Sequence, residues 1–247
     1  AIENLTKTED NETQRAVKIG IMKQGLTESQ NNSYMKHTIE YLTSVGDLHD
    51  EGLSSKLDKN LKLIGFTNGV YDLDAGIFRK ATREDHISMT TQQEWTPDEA
   101  NGYFDDLIQS IFEDSEREEY FKRHLGSLIV GGNKEEKLTN WINDGRGGKG
   151  TMDSLLKASL GDYYGSIEAS YYTSGDTDVN KASPAVLKFK NIRVAVTQEP
   201  AGQHQPWATE KIKRTTGGDP LTGRELYGRL ETFVPHHKPI ICTNHLP

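Results

Sequence analysis

Residues 143–151 read Asn143-Asp144-Gly145-Arg146-Gly147-Gly148-Lys149-Gly150-Thr151. Before them, Leu138-Thr139-Asn140-Trp141-Ile142 has the short apolar character of a strand. After them, Met152, Leu155, Leu156 and Leu160 recur at helical spacing until Gly161. A Gly-rich turn between a strand and a helix can aim several backbone N–H groups at phosphate oxygens. The helix N-terminus adds the positive end of its dipole, and a lysine can reach the terminal phosphates. Gly145, Gly147, Gly148, Lys149, Gly150 and Thr151 are therefore candidate phosphate-binding residues. The match to G-x-x-x-x-G-K-[ST] is imperfect. Asn143 stands at the first glycine, Gly150 stands where a hydroxyl would hold Mg²⁺, and Thr151 comes one residue late. The same residues also read as a flexible strand-to-helix turn, and the loop alone leaves both readings open.

Downstream the α/β grammar continues. Ile192-Arg193-Val194-Ala195-Val196-Thr197 and Pro239-Ile240-Ile241-Cys242-Thr243-Asn244 are strand candidates. Glu199 follows the first of them, where a carboxylate can polarise water and bind Mg²⁺, directly or through water. The residue before it is Gln198, although a second acid would be preferred there. Asn244 ends the second strand, where its side chain can contact a γ-phosphate or attacking water; an ordinary strand-end Asn is the alternative. Between them, Lys211-Ile212-Lys213-Arg214 precedes Thr215-Thr216-Gly217-Gly218-Asp219-Pro220. The segment Thr222–Phe233 then alternates about Gly228-Arg229, predicting a projecting β-hairpin with Tyr227 and Arg229 near its tip. A cation and a ring on a protruding tip suit single-stranded nucleic acid; a plain surface hairpin is the alternative.

The N-terminal half is different. Residues 1–33 are polar and read as an arm or linker. From Tyr34 to Val45 the apolar spacing is helical. Leu61–Phe66, Thr67-Asn68-Gly69 and Val70–Leu73 read as strand, turn and strand, followed by Asp74-Ala75-Gly76 and Ile77-Phe78-Arg79. Thr96-Pro97-Asp98-Glu99 has the composition of a helix start, as does the acidic run from Asp114. Residues 34–135 are thus expected to form a small, mostly helical module with a β-hairpin, and residues 136–247 an α/β core.

Composition bounds these readings. The 247 residues carry 29 Lys and Arg against 37 Asp and Glu, a formal net charge of −8. From Asn180 onward, ten basic residues face five acidic ones, a local net of +5, so the rest carries −13. Only the C-terminal third is electrostatically suited to a polyanion. Cys242 is the single cysteine, which excludes internal disulfides and Cys-rich zinc sites and fits a reducing compartment such as the cytoplasm. No apolar run approaches the roughly 18 residues of a membrane span.

Three collinear stretches give the order of these features its meaning: Phe66-Thr67-Asn68-Gly69-Val70-Tyr71-Asp72-Leu73; Ile212-Lys213-Arg214-Thr215-Thr216-Gly217-Gly218-Asp219 with Arg224; and Thr243-Asn244-His245-Leu246-Pro247. Together with the lysine loop they resemble the superfamily III helicases of the poxvirus, phage and plasmid primase-helicase type, over roughly Tyr34 to Pro247. The resemblance implies a P-loop, AAA+-like ATPase core preceded by a small helical domain. It implies ATP and Mg²⁺, a homo-hexamer translocating on single-stranded DNA, and a primase domain or primase partner. Carried over position by position, Lys149 takes the P-loop lysine role, Glu199 the Mg²⁺-binding acid role and Asn244 the sensor role. Tyr227 and Arg229 fall where the family's DNA-contacting hairpin has its tip, and Lys213 and Arg224 match basic positions whose role in the family is open between DNA contact, subunit contact and structure.

The family's Gly-Lys-Ser-Thr is replaced here by Gly148-Lys149-Gly150-Thr151. The family's arginine finger and the end of its ATPase fold would lie beyond Pro247, so the chain is expected to be a fragment with an incomplete core. Such a fragment is expected to bind nucleotide poorly, hydrolyse it slowly or stay monomeric. Two other functions fit parts of the sequence: a nucleic-acid-binding scaffold with a degenerate nucleotide site, and a P-loop kinase for a small molecule. The kinase reading leaves the hairpin and the +5 segment without a reason.

Overall fold

The computed structural model describes residues 17–21, 23, 25, 32–44, 52–97, 102–143, 145–173, 184–198, 207–226, 228 and 230–244. The chain divides into two compact units, Ala1–Ser55 and Lys56–Pro247. In the first, helix α1 spans Asn32–Ser44, as the spacing predicts, and leaves Met35, Ile39, Tyr41 and Leu42 exposed.

The second unit opens with an antiparallel sheet, β1 (Leu63–Phe66), β2 (Gly69–Asp72) and β3 (Ile77–Arg79). The Phe66–Leu73 stretch explains itself residue by residue. Asn68 donates from Nδ2 to the Trp95 carbonyl (3.0 Å) and accepts from the Trp95 N–H (2.9 Å). Trp95 is thereby held against Phe66, Tyr71 and Phe78. Gly69 is required by close approach, because a Cβ there would lie 2.5 Å from the Arg79 carbonyl oxygen. Asp72 accepts from the N–H groups of Asp74 and Ala75 and closes the second turn.

Two helices follow. Helix α2 covers Tyr103–Ile111, entered through Gly102 at φ 76°. This corrects the expected start at Thr96-Pro97: Thr96 lies outside regular structure, Pro97 sits in a turn, and residues 98–101 lie outside the described ones. Helix α3 covers Ser115–Ile129 and begins as predicted, with the Asp114 carboxylate accepting from the Glu116 N–H at 2.9 Å.

The main sheet is parallel throughout, in the order β4 (Thr139–Ile142), β9 (Lys238–Thr243), β6 (Val194–Gln198), β5 (Tyr164–Ser166). Helix α4 (Lys149–Leu160) buries Met152, Leu156 and Leu160, one turn apart. The fold class is α/β with a parallel sheet, as expected. One core cluster joins Ile64, Ile108 and Leu128 to Trp141, Met152, Val194 and Ile240. Within the second unit, residues from Ile64 to Leu128 therefore share this core with residues from Trp141 to Cys242. A second cluster holds Tyr172, Phe189, Leu221 and Phe233. Leu221 and Phe233 are the buried ends of a two-stranded ribbon, β7 (Leu221–Gly223) and β8 (Glu231–Phe233). The ribbon is shorter than the Thr222–Phe233 alternation predicts, since pairing stops at Gly223–Glu231. Helix α5 (Thr209–Thr216) precedes it.

Candidate nucleotide site

In a parallel sheet the carboxyl ends of the strands open onto one edge, where α/β proteins bind ligands. Here β9 lies between β4 and β6, and the register pairs Ile142 with Thr243 and Gln198 with Cys242. The ends of three strands, from three distant parts of the sequence, therefore meet at one place. The β4–α4 loop closes over it.

That loop turns because Gly145, Arg146 and Gly148 adopt positive φ values of 107°, 55° and 80°. A Cβ at Gly148 would come within 2.8 Å of Ile111 on α2. Asn143 folds its side chain over Gly147, where a Cβ would collide with it at 1.8 Å, and its Oδ1 accepts from the Gly145 N–H at 2.9 Å. By contrast, a Cβ at Gly150 would meet nothing within 4 Å, and Thr151 is exposed.

Lys149 is the first residue of α4. Its Nζ donates to the Asn143 carbonyl at 2.7 Å and to Asn244 Oδ1 at 2.8 Å. The structure thus brings Lys149 and Asn244, 95 residues apart, into direct contact. Both are half-buried. Both oxygens holding the ammonium are neutral, and among the described residues no carboxylate pairs with it. Helix α4 also has no acidic residue in its first turn. A cation at the positive end of a helix dipole is unfavourable by itself. An anion bound there would reverse the sign, so the residues present fit a phosphate group.

One turn further along α4, on the same face, stands Asp153. Its Oδ1 accepts from the Tyr164 hydroxyl at 2.6 Å and its Oδ2 from Gln198 Nε2 at 2.7 Å. Sequence reasoning missed this residue, although the i, i+4 spacing from Lys149 was visible. Asp153 ties α4 to the last residue of β6, as Lys149 ties it to the residue after β9. Burial, and then the hydrogen bond with Asp153, raise the Tyr164 hydroxyl pKa well above its ordinary value. The Cys242 thiol is pushed up to about 11 by burial and next by the Asp153 charge, while Lys149 opposes the rise.

Glu199, Tyr227 and Arg229 lie outside the described residues. Lys213 sits exposed near the end of α5, and Arg224, half-buried, directly follows β7. The basic character of the C-terminal third needs a correction. Arg193 and Lys211 are only 4% and 7% exposed, so their charges do not face a polyanion. Among the described residues no group of three or more His, Cys, Asp or Glu side chains could hold a metal. An Mg²⁺ ion needs no such cage, because it is usually held by one or two carboxylates and substrate phosphates. No helix among the described residues is long and apolar enough to cross a membrane.

Residues 3–113 match the family described as D5 N terminal like. The chain is 32% identical over 226 residues to the protein named "Putative helicase L207/L206" of Acanthamoeba polyphaga mimivirus, covering 90% of this chain and 23% of that protein. It is 23% identical over 201 residues to "Putative primase C962R" of African swine fever virus (isolate Warthog/Namibia/Wart80/1980), covering 76% and 20%. Among solved structures, the apo NrS-1 C-terminal region aligns with a TM-score of 0.48 and 13% identity, over 74% of this chain and 40% of that one. The chain spans less than a quarter of the length of these two viral relatives. The family match and the two viral relatives support a primase-helicase family.

Proposed function

We propose that the chain forms the nucleotide-binding part of an ATP-dependent replicative DNA helicase of superfamily III, with a P-loop, AAA+-like core acting in a primase-helicase. The observation that carries this reading is the Lys149 ammonium. It sits at a helix N-terminus on the carboxyl edge of a parallel sheet, held by the Asn143 carbonyl and Asn244 Oδ1 and by no described carboxylate. In this reading Lys149 exchanges the Asn143 carbonyl for a terminal phosphate oxygen. Asn244 stays within reach to orient the γ-phosphate or the attacking water, and Glu199 accepts the proton of that water. The backbone of Gly145, Gly147, Gly148, Gly150 and Thr151 lines the phosphates. Mg²⁺, held by those phosphates and Glu199 directly or through water, supplies charge neutralisation.

Single-stranded DNA is the proposed track, with Tyr227, Arg229, Lys213 and Arg224 as its proposed contacts. A homo-hexamer and a primase partner complete the proposal; sizing the full-length protein with and without ATP and single-stranded DNA tests the ring. Lys149→Ala is expected to abolish ATP hydrolysis by the complete protein, and an unaltered rate would remove the loop assignment.

One observation favours a second reading, a nucleic-acid-binding scaffold with a degenerate site. The Asn143 side chain packs over Gly147 and accepts from the Gly145 N–H, so the loop is partly closed by its own residues. Titration separates the two: Mg·ATP bound in the micromolar range favours the helicase, and none at millimolar favours the scaffold.

A further inference from the structure

Two side chains of α4, one turn apart on the same face, each reach a side-chain amide at the carboxyl edge of the parallel sheet. Lys149 Nζ donates to Asn244 Oδ1, just past β9, at 2.8 Å. Asp153 Oδ2 accepts from Nε2 of Gln198, the last residue of β6, at 2.7 Å. The register sets Gln198 opposite Cys242, two residues before Asn244, and paired strands lie about 4.8 Å apart. The two bridges are therefore neighbours of opposite charge. One is an ammonium held by an amide oxygen, the other a carboxylate held by an amide N–H. A triphosphate carrying Mg²⁺ presents the same two signs, anionic oxygens with a cation lying on them. Lys149 answers the first of these and leaves the second without a described counterpart.

Asp153 has the properties of that counterpart. It is half-buried, and its partners, the Tyr164 hydroxyl and the Gln198 amide, are both neutral. Among the described residues no cation forms an ion pair with it. A carboxylate partly removed from water is stabilised by any cation brought near it. Gln198 is exposed, and its Nε2 is turned to Asp153, which leaves Oε1 pointing away as an acceptor to which no described residue donates. Donation to a carboxylate also polarises the amide and makes that oxygen a better acceptor. Gln198 stands, moreover, where the sequence pattern prefers an acid before Glu199.

We propose that Asp153 is a positioning residue that supplies this acidic charge from the helix. It acts through Gln198, whose Oε1 accepts a hydrogen bond from the water around phosphate-bound Mg²⁺. The inference rests on the phosphate-loop reading above and adds to it a residue outside the loop, serving the cation instead of the phosphates.

The test separates charge from shape. Asp153→Asn removes the charge and can keep both hydrogen bonds: its carbonyl oxygen still accepts from Gln198, and the Tyr164 hydroxyl can accept from its NH₂ group. ATP is titrated into the complete protein with Mg²⁺ and again with EDTA, and the ratio of the two affinities is compared. Asp153→Asn should lower that ratio about tenfold, the usual loss when the partner of a metal-site group is removed, without weakening ATP in EDTA. Adding Gln198→Glu to Asp153→Asn returns a carboxylate to the strand, where the amide introduced at 153 donates to it, and should restore most of the ratio. A merely structural tie would give neither change. A ratio that Asp153→Asn leaves unaltered, or lowers without rescue by Gln198→Glu, overturns the inference while the loop reading stands. If ATP binds in neither condition, or Lys149→Ala does not weaken it, the loop reading itself fails and the inference falls with it.

Discussion

Arg193, just before β6, offers a prediction whose size can be worked from its contacts. Its guanidinium is buried and faces carbonyls rather than carboxylates. Nη1 donates to the Leu61 carbonyl at 2.9 Å and the Ile129 carbonyl at 2.6 Å, and Nη2 donates to the Leu63 carbonyl at 2.5 Å. The Tyr163 ring lies 4.8 Å from its Cζ. One side chain therefore joins the start of β6, the entry to β1 and the end of α3. Arg193→Met keeps the apolar stem and removes the fork. Each charge-assisted hydrogen bond contributes about 1.5–3 kcal/mol, and carbonyls left buried and unpaired add their own cost. Against this, the variant no longer desolvates a cation, a relief of several kcal/mol. Breaking one partner of such a buried network typically costs about 3–5 kcal/mol, so we expect a loss of about 3–4 kcal/mol. With an m-value of about 2 kcal/mol/M this lowers the urea midpoint by about 1.5–2 M. Arg193→Lys, which retains the charge but not the three-way fork, should lose about half as much. Lys190→Met, at an exposed residue paired with exposed Glu231, should lose at most about 1 kcal/mol. Urea unfolding of the three variants checks the order. An Arg193→Met loss below 1 kcal/mol with unchanged m would refute the idea that the buried fork fastens the two sheets to α3.

Two further outcomes can be checked on the same protein. Gly150→Ser places its Cβ in open space, so the fold should tolerate it and gain about 0.5 kcal/mol of helix propensity; comparing ATP titrations with Mg²⁺ and with EDTA should show a Mg²⁺-dependent gain, and no gain would mean that another group, such as Thr151, already serves. His237 is wholly buried, its ring nitrogens have no hydrogen-bond partner among the described residues, and burial holds its pKa down to about 3, with the neighbouring His236 acting in the same direction. A folded-state pKa below the unfolded value of about 6.5 means that the unfolded chain takes up the proton first, so stability falls as pH drops from about 6.5 toward 3. Between pH 7 and pH 5 the loss from this residue should be about 2 kcal/mol, and equal urea midpoints at the two pH values would contradict it.

Much of this architecture was legible because the relevant signals are local. The alternation from Leu61 to Leu73, the capping Asp114 and the apolar spacing of α4 each depend on neighbours within a few residues, and each element stands where its pattern puts it. The α2 start was misread for a related reason. Thr96-Pro97 has the right composition for a helix start, but the helix begins at Tyr103, after Gly102 in a left-handed conformation. Strand order is different, because no local pattern announces that β9 inserts between β4 and β6. The contact between Lys149 and Asn244 follows from that insertion alone. Asp153 was hidden for a subtler reason. An acid in an amphipathic helix reads as solvated until the first residue of β5 and the last residue of β6 are seen to bring a hydroxyl and an amide to it. The buried nitrogens of Trp141 and His124, which lack a hydrogen-bond partner among the described residues, have no sequence signature at all, since a missing partner can be counted only once the neighbours are known.

The departures from the P-loop pattern become intelligible when taken together. Asn143 stands where the pattern has its first glycine, and its side chain does two things that a glycine cannot: it covers Gly147 and accepts from the Gly145 N–H. Its carbonyl also accepts from Lys149. One residue thus engages three parts of the loop. Gly150 removes a hydroxyl from the same turn and leaves open space. On the proposed reading, a bound triphosphate must draw the lysine away from the Asn143 carbonyl, whereas Asn244 can keep its contact throughout. Binding is then opposed by the loop's own hydrogen bonds, and Asn143→Gly is expected to tighten Mg·ATP binding by about tenfold, which is the roughly 1.4 kcal/mol equivalent of one such bond. The increase should persist in Lys149→Ala, because Asn143→Gly removes the side-chain bond to the Gly145 N–H and keeps the backbone carbonyl that the lysine contacts. Calorimetric titration of the single and double variants measures both terms, and an Asn143→Gly affinity equal to or weaker than wild type would show that Asn143 shapes the cradle instead of occupying it.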